Sequence, residues 1–226
     1  LVLYNAEVAE RIGLGGPRAL EDEAGLALAL AGQRLVPGSQ PFAHAYGGHQ
    51  FGSWAGQLGD GRAVSLGEAL GFPPDAVAGD RAASVREFPW ELALKGAGRT
   101  AYSRGGDGRA ALANAAREFF APVFLEAAGI PAVATLAVVA SDAEEDRIVR
   151  DEWYDGKAAR KKPGVVARLA PTFLRFGTFQ LAAKRLGADA VAEVARFALD
   201  SVARMEAHGD AAAAYVDRLP AGLRPP

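Results

Sequence analysis

One stretch, Glu91 to Phe120 (ELALKGAGRTAYSRGGDGRAALANAAREFF), constrains the fold of this chain more than any other. It opens with the apolar run Leu92-Ala93-Leu94, short enough for a buried strand. Lys95 ends that run. Gly96, Gly98, Gly105, Gly106 and Gly108 follow, with Arg99, Arg104 and Arg109 among them. Ala110 to Phe120 then reads as helix and carries Glu118. Such an order suits polyphosphate binding. Glycines let backbone N–H groups approach phosphate oxygens, and Lys and Arg supply charge, Arg with a planar fork that matches phosphate. A lysine at the end of a buried strand needs a carboxylate partner, and Glu118 is the candidate.

The pentapeptide Gly-Asp-Gly-Arg-Ala occurs twice, at Gly59 to Ala63 and at Gly106 to Ala110. Asp-Gly is a strong turn signal, so a pair of tight turns is one reading. Two loops that grip one ligand from two sides is the other.

The chain has 226 residues, enough for one large domain or two small ones, and half of them are hydrophobic. The net charge of −2 gives no general attraction to nucleic acid or acidic lipid, so neither nucleic acid nor membrane is an expected partner. The absence of cysteine excludes disulfides, thiolate metal sites and a Cys nucleophile, and fits a reducing, cytoplasmic location. No apolar run reaches membrane-span length. Leu1 to Leu14 contains Asn5, Glu7, Glu10 and Arg11 and does not read as a secretory signal. The first residue is Leu, and the expectation is a sequence that starts inside a longer one.

Apolar spacing predicts a helix over Leu1 to Leu14 and a second over Leu20 to Ala31, with Glu21, Asp22 and Glu23 in its first turn. Val36 to Gly61 mixes glycine, aromatics and amides without a clear period and reads as a long functional loop. Its His44 and His49 have no third His or Cys nearby, so packed histidines are favoured over a metal pair. Arg62 to Glu68 and Trp90 to Lys95 read as an antiparallel strand pair around a variable loop, Leu70 to Glu87. Pro122 predicts a kink or a fresh helix start. Gly129-Ile130-Pro131 ends that helix, Ala134 to Ser141 is a strand, and Arg147 to Arg150 pairs back on it as a hairpin. Arg160, Lys161 and Lys162 read as a solvated face. Gly164 to Leu169 is a strand holding Arg168, which needs either a bound anion or an internal acid. Phe179 to Leu186, Asp189 to His208 and Ala211 to Leu219 read as helices. The second of these has Val191, Val194, Phe197, Ala198, Val202 and Met205 on a core face.

There is no GxxxxGK[ST], no completed GxGxxG, no GxSxG, no HExxH and no Asp-rich metal cluster. Phosphate grips are present and obvious metal ligands are not.

GGHQFGSWAGQLGDGRAVSLGE, ELALKGAGRTAYSRGGDGRA, REFF, GIP and VARLAPTFLRFGTF together resemble the SelO (YdiU) family, the selenoprotein O group of pseudokinase-like protein adenylyltransferases. The resemblance runs from about Leu1 to about His208. It implies an α+β, protein-kinase-like fold: an antiparallel-sheet N-lobe with flanking helices and the start of a helical C-lobe, truncated. The matching division is an N-terminal helical segment at 1–35, a nucleotide-binding lobe at 36–175 and an incomplete C-lobe at 176–226. It also implies a flipped ATP, Mg²⁺ or Mn²⁺, and transfer of AMP to Ser, Thr or Tyr hydroxyls of proteins. On that basis Gly59, Gly61 and Arg62 hold the nucleotide from the first pentapeptide, and Asp107 and Gly108 from the second. Lys95 lies on the phosphates with Glu118 as its helix partner, and Arg168 and Arg175 reach the phosphates. Ala101 stands where the family has proline, Ala113 to Ala116 is plainer than the family's segment, and Pro122 is unexpected. The family's HGVMNTDN-type catalytic loop and DYGPF-type metal segment do not occur before Pro226. The resemblance thus implies the N-terminal, nucleotide-binding half of the enzyme, with base and metal ligands beyond Pro226. An inactive nucleotide-binding or scaffold fragment is the alternative.

Overall fold

A computed structural model describes residues 1–14, 22–71, 88–150 and 155–206, with side chains up to 201. In chain order the elements are β1 (Leu3–Tyr4), α1 (Ala6–Arg11), α2 (Glu23–Leu30), β2 (Ala45–Gln50), β3 (Ser53–Gly59), β4 (Ala63–Gly71), β5 (Phe88–Lys95) and β6 (Ala110–Ala111). Then come α3 (Leu112–Ala127), β7 (Ala134–Ala140), a 3-10 turn (Glu144–Asp146), β8 (Ile148–Arg150), β9 (Ala159–Lys161), β10 (Pro163–Ala170), α4 (Phe176–Arg185) and α5 (Ala188–Glu206). The chain mixes helices with antiparallel sheet, as expected. It sorts into two units. One comprises Leu1–His44, Asp60–Glu68 and Leu92–Ala170; the other comprises Ala45–Gly59, Ala69–Glu91 and Pro171–Pro226.

The sheet of the first unit has the strand order β1-β7-β10-β5-β4, with β6 also on β10. β7 pairs antiparallel with β1 and β10, and β10 antiparallel with β6. Ala115 and Phe119, four residues apart on α3, bury against Val138 of β7 and Val166 of β10, with Leu3 and Leu112 packed alongside. Gly164 makes that approach possible, because a Cβ there would lie 2.8 Å from the Leu112 Cα. The adjacent residues on these strands, Val139 and Val165, line a cavity of about 500 Å³ with Ala24, Ala27 and Leu28 of α2 and its C-cap Ala31. Strand side chains alternate between faces, so α2 covers the face opposite α3.

The helix ends follow local chemistry. The Asp22 side chain accepts the Gly25 N–H at 2.8 Å and caps α2. At the end of α3, Gly129 has φ +76; its N–H reaches the Glu126 carbonyl and that of Ile130 reaches Leu125, which satisfies two carbonyls left over by the helix.

Three expectations are corrected, and a fourth is narrowed. Leu1 to Leu14 is not one helix. Leu3 and Tyr4 pair with Val138 and Ala137, so an open sheet edge outweighs helical spacing there, and the Asn5 side chain starts α1 afterwards. At Pro122, of the two outcomes expected, a fresh start does not occur, because α3 runs through it. Burial of Ala115 and Phe119 holds the helix despite the bond that proline removes. Arg147 to Arg150 does not fold back on β7; Ile148, Val149 and Arg150 pair with Lys161, Arg160 and Ala159. Phe197 is 44% exposed, so the apolar stripe of α5 is not a closed core face. Expectations that fall on 15–21, 72–87, 151–154 and 207–226, and those on the Val202 and Met205 side chains, lie outside the described residues.

In the second unit the long stretch read as a loop contains the hairpin β2–β3. Ala45 pairs with Gly59 and Gln50 with Ser53. Phe51 (φ 51) and Gly52 (φ 77) both occupy the left-handed region that a two-residue hairpin turn demands. The glycines that obscured the alternation serve the packing. A Cβ on Gly47 would lie 2.3 Å from the Trp54 ring, and one on Gly48 2.2 Å from Leu58. Helix α4 packs on β2 through Gly177, whose Cβ would lie 2.4 Å from the Gly47 carbonyl oxygen. His49 stacks edge-on with Trp54 at 5.1 Å, and in the first unit His44 meets Phe42 at 4.9 Å, so both histidines pack against aromatic rings.

Candidate functional site

Lys95 ends β5, and its Nζ lies 2.6 Å from Glu118 Oε1 on α3. Arg168 on β10 sends Nη1 to within 3.4 Å of Glu118 Oε2. One carboxylate thus serves two cations, each through a different oxygen. The register of β10 against β7 shifts between Ala167 and Arg168, where β7 carries one residue more than β10. Bulges of this kind re-aim side chains. For Arg168 the internal acid is therefore present, and it is Glu118. Lys95 and Glu118 are each about a third exposed (32% and 33%), so the lysine end of the cluster is open to a solvent-borne anion.

The two pentapeptides meet on either side of Gly96-Ala97. The Gly96 N–H donates to the Arg62 carbonyl at 2.8 Å, and Ala97 pairs with Arg109 as an antiparallel bridge. Gly96 has φ +97, and a Cβ there would lie 2.5 Å from the Gly164 carbonyl oxygen, so both conformation and space require glycine. The first loop is held by hydroxyls: Thr100 Oγ1 donates to the Asp60 carbonyl at 2.5 Å and Ser103 Oγ to the Gly61 carbonyl at 2.7 Å. Gly61 packs against the Tyr102 carbonyl, 2.7 Å from where a Cβ would stand. The second loop contains Gly108 (φ +68), whose Cβ would lie 1.8 Å from the Gly98 carbonyl oxygen.

Arg62 is exposed and forms no ion pair with the described residues. It lines a cavity of about 230 Å³ with Gly98, Arg99, Thr100, Arg34 and Val64, among others. Arg99 Nε donates to the Gly106 carbonyl at 3.0 Å, and Arg34 pairs with Asp22 at 3.4 Å. Among the described residues no carboxylate lines the cavity, and Arg34, Arg62 and Arg99 give that lining a cationic character.

The second loop is held by charge. Asp107 Oδ1 accepts the Arg109 N–H at 2.9 Å and an Arg150 guanidinium N–H at 2.5 Å. Partial burial would raise the Asp107 pKa, but the Arg150 hydrogen bond, the Arg109 N–H and the two guanidinium charges outweigh it and hold the carboxyl below its ordinary value. Arg109 in turn reaches Asp146, through Nη1 to the carbonyl at 3.1 Å and Nη2 to Oδ1 at 3.4 Å. The Ser141 hydroxyl, donating to Asp146 at 2.5 Å, is the main cause of a lowered Asp146 pKa, with Arg109 adding to it. Lys162, bonded to Asp142, lowers that carboxyl in the same way. Lys162 and Arg160, the latter paired with Glu144, thus belong to ion pairs on the surface first read as merely solvated.

Among the residues singled out from sequence, Gly61, Arg62, Lys95, Asp107, Gly108, Glu118 and Arg168 lie in the first unit, joined through Gly96-Ala97 or through Glu118. Gly59 and Arg175 belong to the second unit. There the Arg175 guanidinium sits over the Tyr46 ring, 4.7 Å from its centroid, and the Arg175 carbonyl accepts the Thr178 N–H at 2.9 Å in the first turn of α4. Sequence reasoning missed Thr100, Ser103, Asp146 and Arg150. Each acts on a loop 37 to 43 residues away: Thr100 and Ser103 reach the first across 40 and 42, Asp146 and Arg150 the second across 37 and 43. Such spans leave no local signal.

Glycine loops flanked by Lys95, Arg62 and Arg168 fit a polyphosphate. The same residues do not fit a divalent cation: Glu118 is shared between two cations, Asp107 is bonded to Arg150, and no group of three or more His, Asp or Glu able to hold a metal occurs among the described residues. Nor is any helix among them long and apolar enough to cross a membrane.

This geometry defines an α+β protein in which a strand lysine, a helix glutamate and two arginine-bearing glycine turns are tied together. Residues 1–217 match the family model described as protein adenylyltransferase SelO, and the chain belongs to that family. It is 47% identical over 199 residues to a protein of Xanthomonas campestris pv. campestris (strain B100) named protein nucleotidyltransferase YdiU, covering 88% of this chain and 35% of that protein. A protein of the same name from Xanthomonas oryzae pv. oryzae (strain PXO99A) is 45% identical over 185 residues, 82% of this chain and 32% of its own. The chain thus spans about a third of the length of the curated relatives it matches.

Proposed function

We propose that this chain grips the triphosphate of ATP and forms the nucleotide-holding part of a protein adenylyltransferase with a kinase-like fold. The observation that carries the reading is the Lys95–Glu118–Arg168 cluster, set beside two Gly-Asp-Gly-Arg turns that converge on Gly96-Ala97. In the reaction a Ser, Thr or Tyr hydroxyl oxygen of a protein attacks the α-phosphorus. A new P–O bond forms, the bond to pyrophosphate breaks, and the hydroxyl proton passes to a base. This chain's part is to bind and orient: Lys95, Arg62 and Arg168 neutralise phosphate charge, Glu118 fixes the first and last of these, and the glycine turns offer backbone N–H groups. The Mg²⁺ or Mn²⁺ that such a transfer uses would neutralise phosphate charge, and no step here is routed through it.

ATP labelled at the α-phosphate tests the proposal. Binding that Lys95→Ala weakens at least tenfold supports it, and unchanged affinity refutes the lysine's role. The lack of a metal-holding cluster among the described residues favours a second reading for the chain by itself, nucleotide binding without transfer. Label passing to protein in the presence of Mg²⁺ would exclude that second reading.

A further inference from the structure

Arg150, at the end of β8, bonds twice to the second glycine turn. Its Nη2 lies 2.5 Å from Asp107 Oδ1 and 3.0 Å from the Arg109 carbonyl oxygen. Asp107 Oδ1 also accepts the Arg109 N–H. One guanidinium therefore closes a ring around Gly108, the residue with φ +68. The anchor is firm. β8 is paired residue by residue with β9, Ile148 is 3% exposed, and the Arg150 side chain is 24% exposed. A glycine turn is costly to order on binding, since glycine loses more backbone freedom than any other residue when it is fixed. A group that fixes the turn beforehand removes that cost from the ligand.

We infer that Arg150 is a positioning residue: by holding Asp107 and the Arg109 carbonyl it sets the path of Gly106 to Arg109 and presents that turn, already ordered, to the nucleotide. The inference rests on the nucleotide reading above. Lysine cannot replace it fully: Nη2 makes both bonds to the turn while Nη1 donates to the Val149 carbonyl at 2.8 Å, and a single ammonium nitrogen on a flexible stem lacks that second, orienting nitrogen.

The test uses the full 226-residue chain, amide hydrogen exchange, and calorimetric titration with a non-hydrolysable ATP analogue. Arg150→Ala is expected to speed exchange at the Gly108 and Arg109 amides at least tenfold, to leave Val138 and Val166 unchanged, and to weaken analogue binding at least fivefold. Arg150→Lys should recover part of the affinity. Faster exchange across the whole sheet would mean a general structural brace and overturns the inference, as does unchanged exchange in the turn. Lys95→Ala, measured alongside, separates the two readings. If it weakens binding and Arg150→Ala does not, the positioning role falls and the nucleotide reading stands. If the unmodified chain does not bind, or neither change matters, both fall. Should Arg150→Ala lose its cooperative melting transition, Arg150→Lys decides in the same assays: faster exchange at Gly108 and Arg109 with weaker analogue binding than the unmodified chain supports the role, and equality with it overturns the role.

Discussion

The two Gly-Asp-Gly-Arg-Ala turns have one sequence and two kinds of support. In both, the alanine enters a strand and is 7% exposed, and the arginine backbone joins Gly96-Ala97. The first turn is tied by neutral hydroxyl bonds from Thr100 and Ser103, and its Arg62 makes no ion pair with the described residues. The second is tied by Asp107–Arg150 and Arg109–Asp146, and so spends its own arginine as a strut. Identical residues thus divide the work: one turn offers a guanidinium, the other a rigid backbone. The difference comes from residues about 40 positions away, which the pentapeptide itself cannot encode.

The sharpest way to break this comparison is at the matching glycines. Gly108→Ala should destabilise by about 4 kcal/mol, because it adds φ strain to a clash with the Gly98 carbonyl. Gly61→Ala, without positive φ and with a looser contact, should cost about half as much. Denaturant melts compare them, and equal losses would contradict the contrast. Next comes the carboxylate that neither turn owns. Glu118→Ala leaves Lys95 and Arg168 as neighbouring cations and should cost about 2 kcal/mol by the same assay, more than removing either cation's bond alone. Ser103→Ala should cost about 1 kcal/mol and loosen the first turn, seen as faster amide exchange near Gly61 with no change at Arg109.

The smallest expected effect is the most selective. Asp107 titrates below its ordinary value in the folded chain. Its contribution is therefore full above the unfolded carboxylate pKa and fades as pH falls through the lower folded one. Acidification below about pH 4 should loosen the second turn before the first. Molar salt should act in the same direction, because it screens exposed charge pairs and leaves hydroxyl bonds alone. Exchange rates at Gly61 and Arg109, followed against pH and salt, would show both trends, and parallel behaviour of the two turns would erase the distinction.

Much of this arrangement was legible in sequence because its signals are local. A strand ending in Lys95, a run of glycines and a helix with Glu118 fall within 30 residues, and the pairing of Lys95 with Glu118 follows from the cost of leaving a lysine without a partner. Arg168 was left between an anion and an acid, since nothing in GVVARL points to α3. The β2–β3 hairpin was missed because Gly47 and Gly48 read as loop, whereas their lack of side chains makes room for Trp54 and Leu58. Arg150 was missed because its partner lies 43 residues away, across a strand pairing that the acidic segment gave no reason to expect. The apolar stripe of α5 predicted burial that the described residues supply only in part.

The sharing of Glu118 between β5 and β10 has a mechanical meaning. Helical residues lie about 100° apart around the axis, so a slip of α3 by a single position would swing the carboxylate off both strands at once. Gly164 lets the helix sit close enough for that lock to engage. The rotational setting of α3 therefore acts as a gauge of the whole cluster, with two cations released together or not at all.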